Sequence, residues 1–337
     1  GVQTCALPIF NNMTDDIQPV SSNEFHARIS KAQQLMKANN IAATYIDAGT
    51  NLYYFTGTKW YASERMVGAI IPQEGEIQYI TPYFEVNTLE QYMTIKGKVN
   101  GWQEHESPYQ LFVDTLKHMG IASGTIAIDE STSFFIANGI KQCSDSDKNN
   151  YQIIDAKSVT AGCRSVKSAH EIALLQRAKD MTMEVHKAVA KILYPGISTQ
   201  EVTNFIHQAH IKVGAPAGSY FCIVLFGEDS SYPHGVKTPK TLALNDIVLI
   251  DTGCQVEGYN SDITRTYVYG EANARQRKMW LLEKNAQISA FEAAKIGVPC
   301  GDVDVAARDY LASQDMGPDY QTPGCPHRTG HGVGLDI

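Results

Sequence analysis

The chain lacks long apolar runs, long basic runs and closely paired cysteines. No stretch approaches the roughly 20 consecutive apolar residues that a membrane-spanning helix needs, so we expect no membrane partner. A formal net charge of −8 without a basic cluster argues against a nucleic-acid partner. The seven cysteines are scattered and form no C-x-x-C pair, which excludes a zinc ribbon and a disulfide framework. We therefore expect free thiols in a reducing compartment and a cytoplasmic protein.

Both ends of the sequence are unusual. The chain begins with Gly1 rather than Met, and its first ten residues have neither the basic region nor the length of a signal peptide. We interpret residues 1–12 as non-native or disordered and Met13 as the true start. The other end stops at Ile337, in an apolar segment without a helix cap or polar tail. We expect the chain to be truncated there.

Length and element pattern predict two domains. A chain of 337 residues, with 43% hydrophobic and 19% charged residues, exceeds one ordinary core. Residues 13–158 alternate between helix-like and strand-like segments, which is typical of an α/β domain with a parallel or mixed sheet. Residues 159–337 begin differently, with two successive helices that each start at a capping box, Ser168 to Glu171 and Ser198 to Glu201.

The second domain contains a strand, a polar turn and a returning strand between Ile247 and Tyr267, with acids at Asp251 and Asp262. Side chains alternate along strands, and directly opposed residues share a face. A turn centred on residues 256–257 would place the two acids opposite each other. A turn centred on residues 257–258 would place Asp262 opposite Gly253, the same-face neighbour of Asp251. Either register puts both carboxylates on one face.

Two neighbouring carboxylates beside a buried strand repel, and this favours a divalent cation between them. The alternative is a solvated hairpin whose acids only cap a turn. Farther along, His331 lies in the glycine-rich segment 330–334, where we expect backbone packed closely against a ligand or strand. Asp251, Asp262 and His331 form an O,O,N set suited to Mn²⁺, Co²⁺, Fe²⁺ or Zn²⁺. His234 lies in a turn before the hairpin, where a lone histidine is usually solvated.

Several segments together resemble the metallopeptidase family with the pita-bread fold, which includes aminopeptidase P, prolidase and methionine aminopeptidase. The resemblance covers nearly everything from Met13 onward. The matching segments are Asp251-Thr-Gly, Asp262-Ile-Thr-Arg-Thr, Gly330-His-Gly-Val-Gly-Leu-Asp336, Tyr232-Pro-His-Gly235, Arg164-Ser-Val-Lys-Ser168 and Thr50-Asn-Leu-Tyr-Tyr-Phe-Thr-Gly57. It implies an α/β amino-terminal domain like that of creatinase, followed by an α+β pita-bread catalytic domain that is incomplete in this chain.

The resemblance also implies roles for single residues. Asp251 would bind one of two metal ions, Asp262 would bridge both, and His331 would bind the second. His234 and His327 match histidines that line the substrate site.

The family's ligand set is larger than the three residues found in this chain. Two glutamate ligands are expected beyond Ile337 and are absent, so we expect this fragment to be inactive. Mn²⁺ is the first choice of metal, and Co²⁺, Zn²⁺ and Fe²⁺ are alternatives.

The implied reaction is hydrolysis of Xaa-Pro bonds in peptides with proline in the second position, releasing the amino-terminal residue. An Xaa-Pro aminopeptidase is our first interpretation, a prolidase acting on dipeptides is the alternative, and an inactive peptide-binding relative is a further one. Metal-free hydrolysis, as in creatinase, is disfavoured because such a site needs no acid pair. Methionine aminopeptidase is disfavoured because about 150 residues of α/β domain precede the catalytic half. We expect a homodimer or higher homo-oligomer.

Overall fold

The computed structural model describes residues 10–146 and 150–337. These residues form two compact units. The amino-terminal unit contains residues 18–172, and the carboxy-terminal unit contains residues 173–337 together with the segment up to Ile17. The predicted domain boundary at residues 158 and 159 stays a prediction. Most of the predicted non-native segment 1–12 lies outside the described residues.

The amino-terminal unit is built on a six-stranded mixed sheet with the order β4-β3-β2-β1-β5-β6. Its strands are β1 (Ile41–Asp47), β2 (Gly68–Pro72), β3 (Gln78–Pro82), β4 (Lys98–Trp102), β5 (Ser123–Ile128) and β6 (Asn150–Asp155). Strand β1 pairs antiparallel with β2 and parallel with β5, so the sheet direction is mixed at its centre. The α/β architecture predicted for this half is confirmed.

Helices alternate with these strands. They are α1 (Ser22–Ala38), α2 (Thr50–Thr56), α3 (Val86–Tyr92), α4 (Pro108–His118), α5 (Phe134–Ser146) and α6 (Lys157–Arg164). The core of the unit includes Tyr45 of β1 and Phe112 of α4, whose rings meet edge to face at 5.6 Å. The tyrosine hydroxyl donates to the buried carboxylate of Asp47, so this carboxylate has a partner within the core.

The carboxy-terminal unit combines a small antiparallel sheet with long helices. Its elements are α7 (Ala169–Ile192, which begins in the amino-terminal unit), α8 (Thr199–Val213), β7 (Phe221–Phe226), β8 (Ile247–Gly253), β9 (Gln255–Val256), β10 (Tyr259–Asn260), β11 (Ile263–Val268), α9 (Ala274–Ala293) and α10 (Cys300–Ala312). Both predicted capping boxes are present, because Ser168 and Ser198 exchange hydrogen bonds with Glu171 and Glu201 respectively. These reciprocal bonds explain where α7 and α8 begin.

The sheet β11-β8-β7 has two chemically different faces. Val224 and Ile250 are cross-strand partners and both are buried. Ile223 is the partner of Asp251, so these two side chains lie on the opposite face, which we call the acid face. The sheet therefore presents apolar side chains to the core and a carboxylate on the other side.

His210 of α8 is fully buried in the carboxy-terminal unit. Its Nε2 lies 3.1 Å from the Thr182 hydroxyl and its Nδ1 lies 2.9 Å from the Ser219 hydroxyl. Burial is the main cause that lowers the pKa of His210 from 6.5 to about 4. The folded unit therefore holds this imidazole neutral at a pH where the unfolded chain would protonate it.

We expect acid to destabilise this unit. Because the pKa of His210 is lowered in the folded state, its neutral side chain contributes to stability above pH 6.5. This contribution is lost as the pH falls toward 4. The loss attributable to His210 is about 3 kcal/mol of unfolding free energy. Urea unfolding between pH 7.5 and 4.5 measures it. The variant His210→Asn should flatten the pH dependence, whereas the same change at exposed His26 should leave it unaltered. If the unfolding free energy changed equally with pH in the wild type and both variants, His210 would not be the source of the pH dependence.

Within the described ranges, no helix has both the length and the apolar character needed to cross a bilayer. The six described cysteines are all free, as predicted. Cys5 lies outside the described residues.

Candidate metallopeptidase site

The hairpin carrying the two acids turns at Glu257 and Gly258. Val256 pairs with Tyr259, and both turn residues have positive φ, 51° and 84°. This is the backbone of the tight two-residue turns that match strand twist, and glycine adopts it at no steric cost. Of the two registers that the sequence left open, the structure has the one centred on residues 257–258.

The register brings Asp251 and Asp262 to the same face. Thr264 pairs with Asp251 and Ile263 pairs with Thr252, so the next position, Asp262, lies opposite Gly253. Asp262 and Thr264 are two residues apart and therefore share the face of Asp251. The predicted placement of both carboxylates on one side of the hairpin is present in the structure.

The two carboxylates are poorly compensated by the protein around them. Asp251 Oδ1 is buried and has no hydrogen-bond partner. Burial raises the pKa of Asp262, the neighbouring Asp251 charge raises it further, and His331 opposes both effects. An unpartnered buried oxygen beside a second carboxylate is costly unless a cation shares the space. The donor chemistry of this pair fits a divalent cation.

His331 lies beside Asp262. Its Nε2 is 3.4 Å from Asp262 Oδ2, and its side chain is 59% exposed. The other ring nitrogen, Nδ1, lies 2.9 Å from the carbonyl oxygen of Gly332. A carbonyl can only accept, so Nδ1 carries the proton of this bond, and Nε2 is the ring nitrogen that lies toward Asp262. A metal ion beside Asp262 would therefore bind this histidine through Nε2.

The predicted O,O,N set is only partly assembled. Asp262 neighbours both Asp251 and His331, yet among residues 10–146 and 150–337 no three His, Cys, Asp or Glu side chains converge as a metal-binding group. His331 contacts the Asp262 carboxylate from the exposed rim, and no described contact joins it to Asp251. The three-ligand set therefore stays a prediction, supported here by two neighbouring pairs.

The two glutamate ligands that the resemblance places beyond Ile337 stay a prediction. Ile337 itself is an exposed apolar residue and has no side-chain atom that could bind a metal ion. The truncation at Ile337 and the inactivity of this fragment stay predictions.

The turn that carries His234 covers the acid face. A Cβ placed on the adjacent Gly235 would lie 3.7 Å from Ile223 Cγ2 and 4.0 Å from Leu225 Cδ2. Ile223 is the cross-strand partner of Asp251, so the turn lies over the strand beside this acid. His234 itself is exposed. The structure thus places His234 at the rim of the acid face without a direct contact to either carboxylate.

His327 lies in the segment between α10 and His331. Its side chain is exposed, and its Nδ1 lies 2.8 Å from the carbonyl oxygen of Arg328. No described contact joins its ring to Asp251 or Asp262. Its predicted role at the substrate site stays a prediction.

Sequence reasoning missed the residues that hold this segment. Asn260, fully buried in β10, donates its side-chain amide to the carbonyl oxygens of Gly334 and Leu335, at 3.0 and 2.9 Å. Asp304 and Arg308 of α10 bind the residues before His331. The only local signal was the Asp and Arg spacing of four, which ordinarily indicates a surface ion pair.

Comparison with known proteins assigns both halves of the chain. Metallopeptidase family M24 matches residues 173–337, and the creatinase/prolidase N-terminal domain matches residues 28–166. A putative dipeptidase, YkvY, from Bacillus subtilis is 33% identical over 92% of this chain and 83% of its own length.

Solved structures agree with the sequence comparison. The dipeptidase PepE from Mycobacterium ulcerans has a TM-score of 0.84 and 28% identity, over 95% of this chain and 83% of that chain. A prolidase from Thermococcus sibiricus has a TM-score of 0.80 and 27% identity, over 93% and 82% respectively. Together with the acid hairpin, these matches confirm the resemblance inferred from the motifs. The chain belongs to metallopeptidase family M24, in its branch with a creatinase/prolidase amino-terminal domain and a pita-bread catalytic domain.

Proposed function

We propose that this protein is a metal-dependent prolidase that hydrolyses Xaa-Pro dipeptides to proline and the preceding amino acid. The observation that carries the proposal is the acid pair with a buried, unpartnered Asp251 oxygen in a chain of family M24. The relatives named as dipeptidase and prolidase favour this function over the Xaa-Pro aminopeptidase that we placed first from the sequence. Aminopeptidase activity becomes the second candidate.

Asp251, Asp262 and His331 would hold the metal ions, with Asp251 binding one ion, His331 binding the second and Asp262 binding both. Mn²⁺ is our first choice of metal, and Co²⁺, Zn²⁺ and Fe²⁺ are the alternatives. When bound, such ions supply an activated water and polarise the scissile carbonyl. The two glutamate ligands that the resemblance places beyond Ile337 would complete the site.

The chain's own residues orient the substrate around these acids. The acid face carries apolar Ile223 beside Asp251, and the turn at residues 232–235 lies over it. This apolar strip suits the pyrrolidine ring of a substrate proline, which has no amide hydrogen to satisfy. His234 and His327 would hold the scissile group, because an imidazole can donate or accept a hydrogen bond.

The experiment compares three substrates with full-length protein and Mn²⁺: Ala-Pro, Ala-Pro-Ala and Ala-Ala. We expect Ala-Pro to be hydrolysed at least about 100-fold faster, by kcat/KM, than either of the others. A discrimination of this size corresponds to roughly 3 kcal/mol, the scale of a missing hydrogen-bonding or charge partner. Faster cleavage of Ala-Pro-Ala would establish the aminopeptidase instead.

A non-enzymatic outcome is also distinguishable. Binding of Ala-Pro without hydrolysis at saturating Mn²⁺ would establish a peptide-binding relative. Hydrolysis that survives exhaustive chelation would contradict a metallopeptidase and support metal-free chemistry. The expected homo-oligomer and cytoplasmic location stay predictions, which sedimentation and cell fractionation test.

A further inference from the structure

Arg308 is a buried cation whose donors reach well beyond its own helix. Its side chain is 8% exposed, and its guanidinium lies 3.6 Å from the centre of the Tyr320 ring. Nε and Nη2 donate to the Asp304 carboxylate, at 2.7 and 3.2 Å. Nη1 donates to the carbonyl oxygens of Asp319 and Cys325, at 2.8 and 2.6 Å. Nη2 also donates to the carbonyl oxygen of His327. These bonds occupy all five N–H donors of an arginine.

Asp304 extends this network toward His331. Its Oδ1 accepts from the backbone amide and the hydroxyl of Thr329, at 2.7 and 2.6 Å. Bonds from Arg308 and Thr329 hold the pKa of Asp304 well below its usual range. We call Asp304 and Arg308 the helix clamp. The clamp fixes the backbone from Asp319 to Thr329.

Asn260 fixes the same segment from the other side. Its backbone amide and side-chain amide both donate to the carbonyl oxygen of Gly334, and the side chain also binds Leu335. Asn260 lies two residues before Asp262 on the acid hairpin. His331 therefore lies between two anchors, Thr329 on the clamp and Gly334 on the hairpin.

We propose that Asp304 and Arg308 are positioning residues that hold the segment carrying His327 and keep His331 beside Asp262, an inference that rests on the proposed function. The segment 314–337 contains neither helix nor strand and includes five glycines between residues 317 and 334. Without the clamp, the backbone of this segment would be more flexible. Binding of an ion by His331 would then have to order the segment, and this loss of entropy would weaken binding. Residues that hydrogen-bond a metal ligand directly typically contribute 10- to 100-fold to metal affinity, and this sets the scale for a clamp that acts through the backbone.

The contacts separate this role from ordinary helix stabilisation. A surface Asp–Arg pair at a spacing of four stabilises only its own helix, by a few tenths of a kcal/mol. Here three carbonyl oxygens outside α10 accept bonds from Arg308, and Thr329, also outside the helix, donates to Asp304. A lysine keeps the charge but has three donors on one nitrogen and cannot fork to these acceptors.

The test uses Arg308→Lys in the full-length protein, with Mn²⁺ binding measured by calorimetry in the absence of substrate. We expect one of the two ions to bind 10- to 100-fold more weakly, while hydrolysis recovers when Mn²⁺ is raised to saturation. The matched control is Arg177→Lys, because Arg177 also donates to a carbonyl and a carboxylate, those of Met13 and Asp16. The control should retain wild-type Mn²⁺ affinity.

Thr329→Val is the second variant, in case Arg308→Lys does not fold. It removes only the hydroxyl bond to Asp304, and we expect about a fivefold loss of Mn²⁺ affinity with an unaltered circular dichroism spectrum. Unchanged affinity in this variant overturns the positioning role. Failure of the wild-type protein to bind Mn²⁺ or hydrolyse Ala-Pro contradicts the proposed function instead, so the two inferences fail separately.

Discussion

The variant Asp262→Asn should lose on the order of 10³-fold in kcat/KM for Ala-Pro. Asparagine keeps the shape of the side chain but removes the charge proposed to lie between two ions. A metal contributes several kcal/mol to stabilising transition-state charge, and each 1.36 kcal/mol changes the rate tenfold. Steady-state kinetics with Mn²⁺ in full-length protein measure the loss.

In the metal-free state, Asp262→Asn should be no less stable than the wild-type protein. The pKa of Asp262 is higher in the folded state than in the unfolded state. The protonated side chain therefore contributes stability at low pH. That contribution is lost as the pH rises, because the ionised carboxylate opposes folding. Removing that charge should leave the metal-free protein at least as stable at neutral pH. Asp309→Asn, an exposed change on α10, is the control and should keep full activity. If Asp262→Asn hydrolysed Ala-Pro as fast as the wild-type protein, Asp262 would not be a metal ligand.

The variant Gly253→Ala should disrupt the acid hairpin. A Cβ on Gly253 would lie 1.8 Å from the Ser261 carbonyl oxygen and 2.8 Å from its carbonyl carbon. Both are backbone atoms, so the strands would have to separate where Asp262 lies opposite Gly253. We expect a loss of about 3 kcal/mol of unfolding free energy, measured by urea, and a loss of Mn²⁺ binding.

Gly301 offers the matched control. It lies in the first turn of α10, and an added Cβ there would meet no heavy atom within 4 Å. Gly301→Ala should therefore stabilise the protein by at most about 1 kcal/mol, because alanine loses less entropy in a helix. Wild-type stability and Mn²⁺ affinity in Gly253→Ala would mean that the hairpin tolerates displacement of its strands.

Local patterns predicted the elements that position the acids. Capping boxes at Ser168 and Ser198 located two helix starts, since both partners of each box lie within one turn. Strand parity placed Asp251 and Asp262 on one face for either turn. Glycine chemistry did not settle the turn centre, because the first turn residue is Glu257, which adopts positive φ without being glycine.

The residues that sequence reasoning missed act over long separations. Asn260 binds carbonyl groups 74 and 75 residues away, and Asp304 binds Thr329 at a separation of 25. No periodicity or spacing encodes such contacts, since they depend on how the chain returns to the hairpin. The same limit applies to the predicted metal set: sequence motifs named His331, but its distance from the acids is set by the segment that the clamp and Asn260 hold.

The two-residue turn at Glu257 and Gly258 has a consequence for how this hairpin can vary among homologues. Loops elsewhere on a surface commonly accept insertions, because their length does not alter what the flanking elements present. Here the spacing of eleven residues between Asp251 and Asp262 determines which side of the sheet each acid occupies. If the turn kept its two-residue form, a single inserted or deleted residue would send one acid into the apolar core. Natural variants that retain hydrolysis should therefore differ in this turn by substitution and not by length.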